Sequence, residues 1–508
     1  MGQAFFSAND GVHGNELWTS DGTAAGTVIV EDIDPGSGSS NPRYFTDVNG
    51  SLFFAATDGK HGVDLWKTAG TAAGTVPVQI SGPIAYNPSN LTDVHGTLFF
   101  TANDFIHGPE LWKSDGTQTG TVLVKDINPG SAGSYPMHLT NVDGTLFFDA
   151  FDSVHGLELW KSDGTNAGTV LVKDINPGSG FSSPGDLTNL NGTLFFSAND
   201  GVHGTELWKT EGTRAGTVMV KDINPGSYGS YPNYMRVVNG ELLFTARDAV
   251  HGTELWKSDG TKAGTVMVKD INPGSGGSVG YPFNPAVIGG VLFFAANDGV
   301  HGTELWKSDG TRKGTVQVAD INPGSSGSYP SKLTAVGAFV FFVANDGTAG
   351  RELWVSDGTA AGTVLVKDIN PGRYSSYPNY LTNVGGSLFF EAKEPVHSGE
   401  LWRATFPIIS GPSDGVRYQP RQFTFLGDAT HGLPLPANRM SLPGPPTRLD
   451  HLSGGLGSRE CLLSHHLRAR RVTVEDTDLA RAVSGAVDRL CRSTLQCRVL
   501  GLTHGTPA

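Results

Sequence analysis

Residues 187–226 read LTNLNGTLFFSANDGVHGTELWKTEGTRAGTVMVKDINPG. Four short β-rich runs stand there, separated by Asn-Gly, Asp-Gly, Gly-Thr and Asn-Pro-Gly punctuation. We call them a (DLTNL, 186–190), b (TLFFSA, 193–198), c (TELWKT, 205–210) and d (TVMVKDI, 217–223). Asn191-Gly192 between a and b is a two-residue hairpin signal, because both central residues of that turn need positive φ. Hairpins make the strands antiparallel and argue against a parallel β-helix. Runs b and d are apolar on successive residues, so both faces of their sheet must be covered. A propeller does this by packing each blade between two others.

The stretch is one of nine similar units. All nine tryptophans (Trp18, Trp66, Trp112, Trp160, Trp208, Trp256, Trp306, Trp354, Trp402) follow a leucine, at spacings of 46 to 50 residues. A period of this length points to a propeller or another repeat array. Two or more β-sandwiches would have no reason to hold one phase over nine units. Strand d carries Pro77 once and a recurring lysine (Lys125, Lys173, Lys221, Lys269, Lys367). Both blunt a sheet edge, which orders the strands a to d from axis to rim. The expected fold is an all-β propeller of nine four-stranded blades over residues 1–410, with eight blades as the alternative. The chain opens inside a b run, QAFFSA, and residues 405–410 are read as a short final strand d.

The chain has 508 residues, 69 of them Gly and 29 Pro, and 17% are charged. Residues 1–406 hold 24 Lys+Arg against 41 Asp+Glu, and 407–508 hold 12 against 8, which together give the net charge of −13. An acidic repeat body repels phosphate backbones, so a nucleic-acid partner is not expected. No apolar run is long enough for a membrane span, and the first ten residues do not resemble a signal peptide. All three cysteines (Cys461, Cys491, Cys497) lie in the last hundred residues, so neither a disulfide nor Cys-ligated zinc holds the body together. Residues 411–508, rich in Arg and Pro and without Lys or Trp, read as an unrelated tail, disordered or weakly helical and open to a non-native origin. Its one helical pattern is 475–492, and its Cys and His residues lack a zinc spacing.

The units ELWTSDGTAAGT (16–27), ELWKSDGTQTGT (110–121), ELWKSDGTNAGT (158–169) and ELWVSDGTAAGT (352–363), together with VKDINPGS, resemble the bacterial ELWxxDGT repeat proteins. The resemblance covers residues 4–402. It implies a secreted or cell-surface bacterial protein of unassigned biochemical role. Unit 2 departs from the pattern at Asp64, at Ala69 and in the missing DINPG.

Alternating hairpins place the b–c loop (NDGVHG) and the d–a segment (DINPGS and the residues leading into the next strand a) on one face of the ring. On that face a histidine stands three residues after an acid: His13, His61, His107, His155, His203, His251, His301 and His397 after Asp10, Asp58, Asp104, Asp152, Asp200, Asp248, Asp298 and Glu394. Ala349 stands in the remaining unit. One reading is a ring of acid–base or metal-binding pairs. The other is local: Asp forms an Asx turn, Gly takes positive φ, and His caps the loop by bonding backbone carbonyls. Repetition favours the local reading, because catalysis needs one asymmetric constellation. The enzyme reading calls for a blade with a large insertion or a unique polar cluster, and none is visible in the sequence.

The ELW triplet has a structural account: Leu and Trp fill opposite faces of the sheet, and Glu bonds a backbone amide. Tyr135, Tyr231, Tyr281, Tyr329 and Tyr377, each after an Asn-Pro-Gly turn, are candidates for sugar or peptide contact, or else pack the approach to strand a. No GxxxxGK[ST], GxSxG or HExxH motif occurs. The expected function is a non-enzymatic binding or structural module at the cell exterior, monomeric and without cofactor, binding a protein or glycan on the loop-rich face. The alternatives are a propeller-type hydrolase or lyase using an Asp/His pair, and a calcium-stabilised scaffold. The candidate residues are His107, His155, His203, His251, His301, their Asp104, Asp152, Asp200, Asp248 and Asp298, and Tyr135, Tyr231, Tyr329 and Tyr377. Calcium needs six or more converging oxygens, which no single loop offers. Melting the chain in calcium and in EDTA checks this: equal midpoints are expected, and a rise of several degrees in calcium would restore the metal reading.

Overall fold

The computed structural model describes residues 3–78, 86–280, 283–395, 399–405, 422–425, 459–465, 468–474 and 500–502. They form nine sheets arranged as the blades of a propeller. Blade 4 shows the pattern: Met137–Val142 (a), Thr145–Asp152 (b), Gly156–Ser162 (c) and Val170–Lys173 (d), each strand antiparallel to the next. The a–b turns have the backbone that their sequence demands, with Asn191 at φ 52° and Gly192 at φ 82°. Inner strands neighbour one another around the axis: Thr46 Oγ1 donates to Leu91 O at 3.2 Å and Thr92 Oγ1 to Leu139 O at 3.4 Å.

The two flanking blades are completed differently from the others. Blade 1 takes its inner strand from Leu500–Leu502, antiparallel to Gln3–Asn9. In blade 9 the partner of Glu400–Thr405 is Gln422–Phe425, beyond the stretch 405–410 expected from the sequence. Arg459–His465 and Arg468–Val474 extend that sheet. Residues 406–410 and the helical pattern at 475–492 lie outside the described residues.

The core is a set of nine seams between blades. At the seam of blades 4 and 5, Phe147, Leu159 and Ile175 meet Leu194, Phe196 and Trp208. Leu159 faces blade 5 while its neighbour Trp160 faces blade 3, because successive residues of a strand point to opposite faces. The closing seam uses the same parts, with Phe389 and Leu401 of blade 9 against Phe6 and Trp18 of blade 1.

At the rim the recurring lysine reaches across the seam. Lys173 Nζ donates to Thr217 O at 2.8 Å and lies 5.5 Å from the Trp208 ring. A second bridge runs from strand c, where Lys209 Nζ donates to Gly260 O at 2.9 Å. Arg403 takes that position in blade 9 and donates to Gly22 O at 2.6 Å, closing the ring. Removing the indole in Trp208→Ala leaves a cavity in a dry seam and should cost about 3–5 kcal/mol in urea unfolding. Lys173→Met, which loses one rim contact, should cost about 1 kcal/mol.

Candidate functional site

The loop-rich face is held from beneath by a buried carboxylate. Glu158 accepts from the amides of Ile175 (3.0 Å), Asn176 (3.2 Å) and Ser182 (3.2 Å) and from Ser182 Oγ (2.6 Å). Glu16, Glu110, Glu206, Glu254, Glu304 and Glu352 make the corresponding bond to Ser40, Ser134, Ser230, Ser278, Ser328 and Ser376. Burial pushes Glu16, Glu110, Glu158 and Glu352 up to about 7, the hydrogen bonds pulling the other way. The amide bond expected of this Glu is therefore present, and it ties the d–a segment of one blade to its own strand c. The segment also lies flat against the b–c loop: a Cβ on Gly108, at φ 73°, would sit 2.5 Å from Gly133 N. Both loops share one face, as the hairpin alternation requires.

In four blades the next residue after the stapled serine is a tyrosine. Tyr135, Tyr231, Tyr329 and Tyr377 have φ between 47° and 51° and are 55–60% exposed. More than half of the surface of each is open to solvent. Tyr281 lies outside the described residues.

The Asp/His loops are local devices. Asp104 Oδ1 accepts from the amides of Ile106 (2.9 Å) and His107 (2.7 Å), the Asx turn expected from the sequence. The imidazole differs from expectation. Its Nδ1 does not bond a backbone carbonyl but lies 2.6 Å from Asp104 Oδ2. The pairs Asp152/His155, Asp200/His203, Asp248/His251 and Asp298/His301 repeat this at 2.7–2.9 Å. The hydrogen bond that each ring donates to its Asp raises His107, His203, His251 and His301 above the usual histidine value. Burial raises the Asp104 carboxyl, but the amide and ring of His107 outweigh it and leave it below the usual range. Each pair stays within its own loop. Among the described residues no three His, Cys, Asp or Glu side chains converge on a common point. His397 lies outside them.

Asymmetry enters on the innermost strands. Tyr44, Asn90, His138, Asp186, Tyr234, Lys332 and Tyr380 occupy one equivalent position, all at φ 51–60°. The register of most of these strands shifts there, as at a bulge. Left-handed backbone at a non-glycine residue costs energy, yet seven blades keep it with differing side chains. Asn90 Nδ2 donates to Pro136 O at 3.1 Å, Tyr234 N donates to Asp186 Oδ2, and Lys332 Nζ donates to Asn379 Oδ1 at 2.9 Å. Each of these bonds joins one blade to the following one. His138 instead pairs within its blade: Nδ1 is 2.9 Å from Asp149 Oδ1, with the His138 side chain 52% exposed and that of Asp149 3%. The hydrogen bond that His138 donates to Asp149 raises it, and the Asp186 charge adds to this. Glu391 stands in blade 9 where Asp149 stands in blade 4; burial pushes it up to about 7 against the pull of Lys393 and Lys332.

Unique polar clusters are therefore present, contrary to the sequence expectation. Their signal lies in the column after the aromatic pair of strand b, which reads Ser7, Ala55, Thr101, Asp149, Ser197, Thr245, Ala295, Val343 and Glu391. Only blades 4 and 9 place an acid there.

No family model matches the chain, and no curated protein does. Among solved structures it is similar to puromycin hydrolase (15% identity, TM-score 0.37, covering 78% of this chain and 63% of that one). It is also similar to a Mycobacterium tuberculosis puromycin-hydrolysing peptidase (11%, 0.37, 78% and 62%) and to oligopeptidase B from Leishmania major (10%, 0.38, 69% and 52%). The chain thus spans less than two thirds of each. At these identities the likeness is one of fold, and no residue role passes from those proteins to this chain. Those proteins are named as hydrolases and peptidases, and the expectation of a non-enzymatic module is corrected on this chain's own geometry: the unique polar cluster that it said was missing is present, and a repeat-built propeller is no ground for excluding catalysis. Repetition does not exclude it either, because the inner strands do not repeat.

The histidines and the stapled glutamates act together on stability. A raised folded-state value favours the protonated form, so both groups stabilise the fold at low pH and lose that contribution as pH rises through the folded-state value. Melting monitored by calorimetry should show the midpoint falling from about pH 5 to pH 8. Glu16, Glu110, Glu158 and Glu352 should each contribute on the order of 1–3 kcal/mol to the fall, and Glu158→Gln should flatten the slope.

Proposed function

We propose that the chain is a propeller-type hydrolase or lyase whose acid–base group is His138, held by Asp149 on the innermost strands. The observation that carries this reading is the pairing of a dry carboxylate with a half-exposed imidazole at 2.9 Å, in one blade and outside the repeated loops. Asp149 accepts Nδ1–H, which fixes the tautomer and leaves Nε2 to exchange a proton with water or a carbon acid. Burial of Asp149 keeps the carboxylate from being solvated away, and exposure of His138 leaves Nε2 within reach of a substrate. Asp186, on the next blade, adds negative charge that favours the imidazolium once it forms. Protein or glycan is the proposed substrate class, and the ELWxxDGT resemblance supports a secreted or cell-surface bacterial setting.

Turnover of ester, peptide and glycoside substrates tests the reading. Against whichever substrate the wild type accepts, His138→Gln should lower kcat/KM by about 10²–10⁴-fold. Asp149→Asn should lower it by a smaller factor and shift the acidic limb of the pH profile. His203→Gln, in a repeated loop, should leave it unchanged. No turnover of any class by the wild type, or equal activity in His138→Gln, would sink the proposal.

A further inference from the structure

The d–a segment of blade 8 departs from its relatives. Where the other segments have Ser131, Ser179, Ser227, Ser275 and Ser325 after Asn-Pro-Gly, this one has Arg373 and then Tyr374. The adjoining b–c loop of blade 9 departs as well, with Lys393-Glu394-Pro395 where blade 5 has Asn199-Asp200-Gly201. The two departures face each other across one seam. They flank an open depression of about 650 Å³ lined by Arg373, Tyr374, Tyr377, Lys393 and Glu394. That volume is typical of small-molecule sites.

Its chemistry is specific. Lys393 Nζ lies 5.9 Å from the centre of the Tyr377 ring, so one cation and one aromatic face share a wall. Among the described residues no carboxylate closes a salt bridge on Arg373 or Lys393. Tyr374 and Tyr377 are 74% and 57% exposed, leaving their rings to a ligand. Lys393 N donates to Ser376 O at 2.8 Å, and Ser376 is tied to buried Glu352, so the wall stands on the same staple as the rest of the face.

We propose that this depression is a binding site for a sugar acid of the hexuronate class. Its carboxylate takes the fork of Arg373 and the point charge of Lys393. Its C–H face lies on the tyrosine rings. The site stands apart from the His138 pair and does not rest on the catalytic reading.

Calorimetric titration with digalacturonate tests it, with galactobiose as the neutral counterpart and a dipeptide with a free C-terminus as the other carboxylate. Digalacturonate is expected to bind, and galactobiose to bind at least tenfold more weakly. Arg373→Ala and Lys393→Ala should each weaken digalacturonate by about 10- to 100-fold with unchanged melting temperatures. His138→Gln should bind like the wild type, which separates this site from the proposed catalytic pair. The assignment is overturned by any of three results: no digalacturonate binding at millimolar concentration, equal binding of galactobiose or tighter binding of the dipeptide, or unaltered affinity in both folded variants.

Discussion

The whole upper face of the ring depends on a carboxylate buried where water cannot reach it. A charge in that position is costly unless it is fully bonded. Glu158 takes three amides and one hydroxyl, all from the segment that leads into the next blade, and burial still holds its carboxyl up at about 7. The segment cannot lift without stripping a buried carboxyl of its partners, so the tyrosines and the start of strand a are placed with little freedom. Blade 2 illustrates the coupling from the other direction. There Asp64 replaces Glu, one methylene too short, and the DINPG that would supply the donors is missing from the sequence as well. Staple and stapled segment are lost together.

Much of this is legible in the sequence because it repeats. The Leu-Trp alternation predicts two seams per blade, and the seams are found with the residues in the expected places. Asn-Gly specifies the hairpins, and Asp before Gly specifies the Asx turns. The partner of the His ring is not where the loop pattern puts it: a carboxylate oxygen two bonds from the one already engaged by the turn is nearer than any backbone carbonyl. The inner strands are illegible for a deeper reason. Reading by repeat looks for what is the same in every unit, and His138, Asp186 and Lys332 sit in a position defined by its geometry but not by its residue. Strand completion by Leu500–Leu502 is hidden as well, since a pairing across nearly five hundred residues leaves no local trace.

The inner strands also show why a symmetric scaffold does not bar an asymmetric chemistry. The bulge is held by strand pairing on either side, and that pairing does not depend on which side chain the bulge carries. Left-handed backbone there is offset by the sheet, leaving the side chain free to differ from blade to blade. In blade 4 the neighbouring column supplies a dry acid, and the result is a His–carboxylate couple; in blade 9 the same column supplies an acid, and the bulge position carries Tyr380 instead of a histidine.

The seams have a consequence for the chain's history and assembly. A wedge whose left side fits every right side carries no mark of its rank, so a whole unit can be gained or lost by duplication without redesigning any contact but the angle between wedges. The same interchangeability invites a nascent ring to join the wrong neighbours. The innermost position differs along the chain, and three of its side chains tie neighbouring blades by bonds that differ from junction to junction. Those residues act as place-markers, numbering wedges that are otherwise alike.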